Sequence, residues 1–282
     1  MPTIKRSAAK KTLDLRIRRL TVYQDFKKLP DIQHRVWRHD ETDLTPTHQF
    51  CISALMGAII LGAFVREDMV GFVFSFPAVH DGALSQHSHL LAVLPRYQGH
   101  GIGKRLKWAQ RDWALKLGYD RITWTVDPLQ ARNANLNIHT LGAITSTYMR
   151  NFYGLDSKLN LGPGIPTDRF LMEWPIRGKR VAERRRGRFE FYERETVPRT
   201  LERRAGTTEI LPGRTRFGLT DKLILAEVPG NINAWRGRHE PIASWQKALR
   251  RVLEHYFGRG YAAIDFLSGD RCFYVLGKRR SL

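Results

Sequence analysis

Residues 87–106 read HSHLLAVLPRYQGHGIGKRL and join an apolar strand to a helix through a turn with three glycines, Gly99, Gly101 and Gly103. The apolar run up to Leu94 predicts the strand. Leu106, Ala109, Trp113 and Leu117 then recur on one helical face, and Gly118 closes the helix. Backbone N–H groups at a helix start have no internal acceptor, and the helix dipole adds partial positive charge there. Glycine carries no Cβ to keep a ligand away. The stretch Gln98-Gly99-His100-Gly101-Ile102-Gly103 therefore reads as a cradle for phosphate oxygens, each N–H bond worth roughly 1.5–3 kcal/mol. Lys104, Arg105 and Lys107 are expected to add charge beside it.

Three readings of that turn compete. The plainest is a tight connection without a ligand. A dinucleotide fold wants G-x-G-x-x-G and an Asp or Glu at the end of a second strand some 20 positions on, and neither is present here. The third is a coenzyme A pyrophosphate site.

Outward from the turn, the pattern alternates strands and helices. Strands are predicted over 14–20, 60–65, 69–76 and 87–94, with helical spacing over 21–37, broken at Pro30, and a second helix from Thr47. Residues 80–86 read as a loop. A strand at 121–126, a helix at 131–141 ended by Gly142, and strands at 143–152 and 168–174 follow. Residues 177–188, RGKRVAERRRGR, hold seven basic residues and one acid, and read as a solvated linker. Beyond it come a strand at 223–228, an amphipathic helix opening at Pro241, and a hairpin of 261–267 with 272–276 around Gly269-Asp270. The linear division is a basic tail (1–11), a main domain (12–175), a basic linker (176–210) and a β-α-β-β extension (211–282).

Composition sets the bounds. The chain has 282 residues, 42% hydrophobic and 26% charged, which excludes a disordered or collagen-like protein. Its formal charge of +20 calls for anionic partners without saying which. Two cysteines, Cys51 and Cys272, make no disulfide framework, so the expected location is the cytoplasm. The longest nearly apolar run, 52–65, is shorter than the roughly 20 residues a bilayer helix needs. No zinc spacing and no basic-zipper heptad is present.

The spacing Gln-x-x-Gly-x-Gly after strand His89–Leu94 resembles the acetyl-CoA signature of the GNAT N-acyltransferase superfamily. The stretches HSHLLAVLPRYQGHGIG, TVDPLQARNANLN, LGA and PTDRFLMEW resemble a bacterial and archaeal subfamily of predicted acetyltransferases with a C-terminal extension. The resemblance spans residues 12–175 and continues more weakly into EVPGN and GYAAIDF. It implies an α/β (α+β) fold of the GNAT type: a mixed, mostly antiparallel twisted sheet flanked by helices. It implies acetyl-CoA, or another acyl-CoA, as co-substrate, and direct attack by an amine. Leu91, Val93 and Leu94 would lie along the pantetheine arm, with an N–H near Val93 or Leu94 facing the thioester carbonyl. Gln98, Gly99, His100, Gly101, Ile102, Gly103 and Lys104 would hold the diphosphate, the backbone of His100 mattering more than its ring. The family's helix-start Asn slot is Ala131 here, with Asn133 and Asn137 as nearby substitutes. Its usual tyrosine acid falls at Ile138, which leaves Tyr148 or Tyr153 to supply a hydroxyl.

The attacking amine must first lose a proton, its pKa being about 8 to 10.4. His87 and His89 are the candidate bases: two apart on one strand, they share a face, and histidine titrates in the useful range. The pair resembles the histidines of the serotonin N-acetyltransferase branch. Asp127, Arg132, Asp168 and Arg169 could meet an amino-acid substrate or form surface ion pairs. The expected acceptor is a small amine such as an amino acid. A protein N-acetyltransferase acting on an acidic partner and a non-catalytic acyl-CoA or nucleic-acid-binding regulator are the alternatives, and a homodimer is left open.

Overall fold

The computed structural model describes residues 13–38, 41–155, 157, 161–206 and 210–278; the basic tail read over 1–11 lies outside them. The chain packs as two compact units, Met1–Ser75 with Leu90–Gln110, and Phe76–His89 with Arg111–Leu282.

In the first unit, β1 (Leu15–Arg19) pairs antiparallel with β2 (Ile59–Val65), which pairs antiparallel with the first part of β3 (Asp68–His80). The sequence IILGAFV of β2 is buried from Ile59 to Phe64, as expected of a strand covered on both faces. Helices α1 (Tyr23–Phe26), α2 (Leu29–Trp37) and α3 (Thr47–Leu55) supply Phe26, Leu29, Ile32 and Phe50 to this core. Phe50 packs edge-on against Phe72 and Phe74. The helical stretch is broken just before Pro30, which sits in the first turn of α2, where its missing N–H has no partner to lose. Gly71 is compelled by space: a Cβ there would stand 2.6 Å from the Ala92 carbonyl oxygen of β4 (Ala83–Val93). After β4 the turn leads into α4 (Ile102–Lys116). Strands β3 and β4 and helix α4 each contribute residues to both units.

In the second unit, β3 and β4 are longer than expected. The stretch read as a loop over 80–86 is a hairpin whose turn is only Asp81-Gly82, with φ of 51° and 73°. Those angles are the ones an Asp-Gly pair favours in a two-residue hairpin. The sheet then runs β4, β5 (Arg121–Val126), β7 (Arg169–Pro175), β6 (Ile144–Met149). Between β5 and β6 lies α5 (Ala131–Ala134), which continues as a π-helix over Asn135–Thr140. Only the β4–β5 pair is parallel in this part of the sheet.

The basic run is not a free linker. It forms α6 (Lys179–Arg185), with Val181 fully buried and Arg184 only 3% exposed. Arg184 bonds Asp265 at 2.5 Å, and Arg185 grips Asp112 at 2.6 and 2.8 Å. Arg184 and Arg185 are thus neutralised by carboxylates within the unit. Two strands not foreseen, β8 (Arg199–Arg203) and β9 (Pro212–Thr215), follow. The expected β-α-β-β extension is present as β10 (Leu223–Val228), α7 (His239–Gly258), β11 (Tyr261–Leu267) and β12 (Cys272–Lys278). It is continuous with the preceding sheet, because β11 pairs with β6 at Ala263↔Thr145. Helix α7 buries Trp245, Leu249, Val252, Leu253 and Tyr256, the stripe that its spacing predicts.

Asp168 closes the junction. Buried to 1% exposure, it accepts hydrogen bonds from the Tyr148 hydroxyl (2.6 Å), from Arg250 (2.7 and 2.9 Å) and from the Asn151 N–H (3.0 Å). It is neither a surface ion pair nor open to a substrate. Truncating one partner of such a pair leaves the other charge poorly compensated. Asp168→Ala should lower unfolding stability by about 3 kcal/mol in urea titrations, the low end of that class because Arg250 keeps some solvent. Asp168→Asn should lose less; a loss within experimental error for the alanine variant would refute the role.

Candidate active site

The turn after β4 has the geometry of an anion cradle. Tyr97 and Gln98 donate their N–H groups to Leu94 and Pro95, closing a short 3-10 turn. Gly99 and Gly101 follow with φ of 79° and 75°, left-handed values that disfavour any other residue. The helical ladder then begins with Arg105 N–H on the Gly101 carbonyl at 3.0 Å. Among the described residues, the N–H groups of Ile102, Gly103 and Lys104 meet no main-chain acceptor. A Cβ on Gly99 or Gly101 would meet nothing within 4 Å, and one on Gly103 would make only an ordinary contact, 3.8 Å from Leu91. The protein's own packing therefore does not require glycine at 103; a ligand approaching the backbone would. These donors and this clearance fit a diphosphate.

Side chains brace the turn. Gln98 donates to the Val93 carbonyl at 3.0 Å, and the His100 ring folds back onto the carbonyls of Gln98 and Tyr97. Of the three basic residues expected beside the turn, only Lys104 is free to serve it. Arg105 donates to the Leu15 carbonyl at 2.8 Å. Lys107 is buried and donates to Gln110 at 2.7 Å, and burial pushes its pKa well down.

Strand direction selects one of the two candidate oxyanion donors. Leu94 N–H is already bound to the Val70 carbonyl on β3 at 2.9 Å. Successive N–H groups of a strand point to opposite sides, so that of Val93 points away from β3. Val93 and not Leu94 is the available donor.

In the second unit, β4 and β5 pair only at Gln86↔Ile122 and His87↔Thr123. From Trp124 to Val126, β5 pairs with β7. The two parallel strands therefore part after His87, and His89 lies beyond the last pair. His87 bonds the Thr123 hydroxyl at 3.0 Å. Phe76 packs against both histidine rings, at 5.5 and 5.9 Å. His89 is open to solvent, yet enough protein surrounds the ring for desolvation to lower its pKa below 6.5. Thr125, on the same face of β5 as Thr123, shares a hydrogen bond of 2.9 Å with the Tyr153 hydroxyl. Arg169 stands 5.2 Å above the Tyr153 ring.

The sequence profile of the acetyltransferase (GNAT) family matches residues 23–137, which hold the turn, both histidines and the point where the strands part. Those residues are a GNAT acetyltransferase domain. The match thus places an acyl-CoA-dependent N-acetyltransferase domain within residues 23–137. Solved structures with which it shares similarity include the ribosomal-protein-S18-alanine N-acetyltransferase from Escherichia coli (20% identity, 57% of this chain and 94% of that one, TM-score 0.46). A GNAT-family acetyltransferase from Streptococcus pneumoniae matches at 20% identity over 57% of this chain and 98% of its own, with a TM-score of 0.46. The PaiA N-acetyltransferase from Thermoplasma acidophilum, solved with coenzyme A, matches at 16% identity over 58% and 99%, with a TM-score of 0.44. No curated relative matches the chain.

The remaining expected residues of the GNAT site divide. Asn133 is exposed on α5, whereas Asn137 is 6% exposed. Asn137 lies in the π-helix that begins at Asn135. Tyr148 is engaged as a donor to Asp168, and burial with that carboxylate pushes its pKa well up, so it is a poor acid. Asp127 accepts the Leu129 N–H at 2.8 Å, and burial raises its pKa. Tyr153 is the better-placed hydroxyl. Its only sequence signal is that it follows β6 closely, since Thr125 that fixes it lies on another strand.

Proline at 101 would force φ near −65° and remove a donor. Gly101→Pro should weaken acetyl-CoA binding at least tenfold by calorimetry, with little change in the melting temperature of the chain. Wild-type affinity in that variant would contradict the assignment of the turn to the diphosphate.

Proposed function

We propose that the chain transfers an acyl group, acetyl in the first instance, from acyl-CoA to the primary amine of a small molecule that also carries a carboxylate, such as an amino acid. The observation that carries this reading is a depression of about 580 Å³ in the first unit, lined by His34, Arg35, Arg38, Leu94, Pro95 and Arg96. It adjoins the end of β4, its size suits a small molecule, and its arginines suit a carboxylate. The charge of +20 points the same way, since it disfavours cationic peptides. We also take the reducing cytoplasm as its location, in keeping with the free Cys51 and Cys272; among the described residues, no helix is long and apolar enough to cross a membrane.

The main-chain donors of Ile102, Gly103 and Lys104 would hold the diphosphate, and the N–H of Val93 would stabilise charge on the carbonyl oxygen under attack. His89 takes the ammonium proton, directly or through one water, because its lowered pKa keeps it neutral near pH 7. His87, tied to Thr123, orients its neighbour on the strand and the hydroxyl beside it. The amine nitrogen bonds to the acyl carbon as the carbon–sulfur bond breaks; Tyr153 gives a proton to the departing sulfur and is reprotonated by the second proton that the nitrogen sheds as the amide forms. A thiol of pKa near 8.5 asks little of that acid.

Two measurements test the reading. Because a depressed histidine pKa keeps the base active to lower pH, kcat/KM should rise with pH along an acid limb that inflects below 6.5. His89→Gln should remove this limb and lower kcat by about 10²-fold, within the range of general-base catalysis. Tyr153→Phe should lower kcat more than it raises KM. An unchanged profile in the His89 variant would dismiss it as the base. Separately, thiol release should be measured across amino acids, neutral amines and acidic peptides. Faster turnover of amino acids supports the proposal; preference for acidic peptides replaces it with protein acylation, and no release with any amine leaves a binding protein.

A further inference from the structure

Helix α7 buries one face in the second unit and turns a basic one to solvent. Lys247, Arg251, His255 and Arg259 recur every four residues, a row that steps about 6 Å at a time over roughly 18 Å. The buried stripe of Trp245, Leu249, Val252 and Tyr256 fixes this phase. Lys247, Arg251 and Arg259 are exposed, and among the described residues none has an ion-pair partner. Of the acids on α7, Glu254 is spent on Arg150 at 2.5 and 2.6 Å, and Glu240 stands in the first turn.

The segment after β9 widens this face. His255 donates to the Phe217 carbonyl at 2.7 Å, and Arg259 donates to the same oxygen at 3.1 Å. The Tyr256 hydroxyl donates to the Arg216 carbonyl at 2.8 Å, and the Arg251 guanidinium stands 5.5 Å over the Phe217 ring. These contacts hold the exposed Arg216 beside the row. Just past α7, Tyr261 packs on Tyr256 at 5.3 Å. Lys278, exposed and opposite Tyr261 in the β11–β12 ladder, sets its ammonium 5.8 Å from that ring. Asp221 is an exposed acid at this end, its carbonyl accepting the Tyr261 hydroxyl at 2.6 Å. Lys247, Arg251, Arg259, Arg216 and Lys278 outnumber it. Like charges held close together repel one another, and a polyanion removes that cost.

We propose that this face of the C-terminal extension docks on nucleic acid through its phosphodiester backbone, without reading sequence. A row of like charges at regular steps suits a polymer whose own charges repeat along its length. An anionic bilayer and an acidic protein share the sign of that charge but need more than sign. A helix that binds a bilayer surface buries Trp, Phe or Leu among the lipids. A protein interface centres on aromatic or aliphatic anchors. Among the described residues beyond Ile210, no large apolar side chain is exposed, so this face offers neither. The face shares no residue with the acyl-transfer machinery and does not depend on which amine is acylated.

The test is fluorescence anisotropy of the full chain with labelled DNA and RNA duplexes of arbitrary sequence, across a series of salt concentrations. At least one duplex should bind with a Kd of about 10 µM or tighter at physiological salt, and the tighter identifies the polymer. Joint replacement Lys247→Gln, Arg251→Gln and Arg259→Gln should flatten the slope of log K against log[salt] on DNA by about 2.7, three contacts at about 0.9 each. Lys247→Gln alone, at a side chain that holds nothing in place, should flatten it by about 0.9, so a poorly folded triple variant does not decide the matter. Joint replacement Lys27→Gln, Lys28→Gln and Lys179→Gln removes the same charge elsewhere and should leave the slope unchanged. Equal flattening by both triple variants would overturn the proposal. So would binding of neither duplex, or tighter binding to poly-glutamate or to vesicles of equimolar phosphatidylserine and phosphatidylcholine.

Discussion

A folded chain must find a partner for nearly every backbone N–H and C=O group it takes out of water. This protein leaves a few of them unpaired, and the candidate site is built from those. The first turn of α4 has donors at Ile102, Gly103 and Lys104 with no main-chain acceptor among the described residues. Val93 directs its N–H away from β3, because Leu94 takes the opposite direction onto Val70. In the second unit, β4 and β5 pair over two residues and then part. Parallel strands held by so short a ladder are weakly coupled, so the aromatic contacts of Phe76 with His87 and His89 and the His87–Thr123 bond do much of the local holding.

The charge of the chain is distributed less simply than its total implies. Many arginines are internal fasteners. Arg18 grips the buried Asp25 at 2.6 and 2.9 Å, Arg250 holds Asp168, and Arg271 holds Glu227, itself 3% exposed. These pairs use guanidinium's planar fork, which lysine lacks. The lysines behave otherwise: Lys104, Lys179, Lys222 and Lys278 are exposed and without ion-pair partners among the described residues. Anion affinity therefore belongs to selected places on the surface rather than to the whole of it.

Local features were readable from sequence and relational ones were not. The turn at 98–103 was legible because glycine, helix periodicity and an apolar strand stand next to one another. The α7 stripe and the 261–276 hairpin were legible for the same reason. Helix α6 was hidden, since Val181 is the lone large apolar residue in a run of charges, and what folds it is the distant Asp265 and Asp112. The burial of Asn137 is not legible, because a π-helix shifts the phase of the residues after Asn135 and nothing in ARNANLN announces the wider turn. Lys107 looked like surface charge beside the turn, yet α4 rotates it inward onto Gln110. The buried partner of Asp168 is not legible either, since Arg250 is 82 residues away.

That last pairing gives the C-terminal extension a mechanical part in the site. Strand β6 is shared: it pairs with β7 on one side and meets β11 at Thr145 on the other. The segment that follows β6 carries Tyr153, and α7 holds that segment at two points. Arg150 grips Glu254 at 2.5 and 2.6 Å, and Arg250 fixes Asp168, which in turn accepts the Asn151 N–H. Thr167 adds a bond from the Tyr153 N–H at 2.8 Å. The segment that carries the hydroxyl reaching Thr125 is thus held by α7. A loop fastened only by Thr125 would sample many orientations, and the entropy of ordering it would fall on the reaction. With α7 in place that ordering is completed on folding, before any substrate arrives.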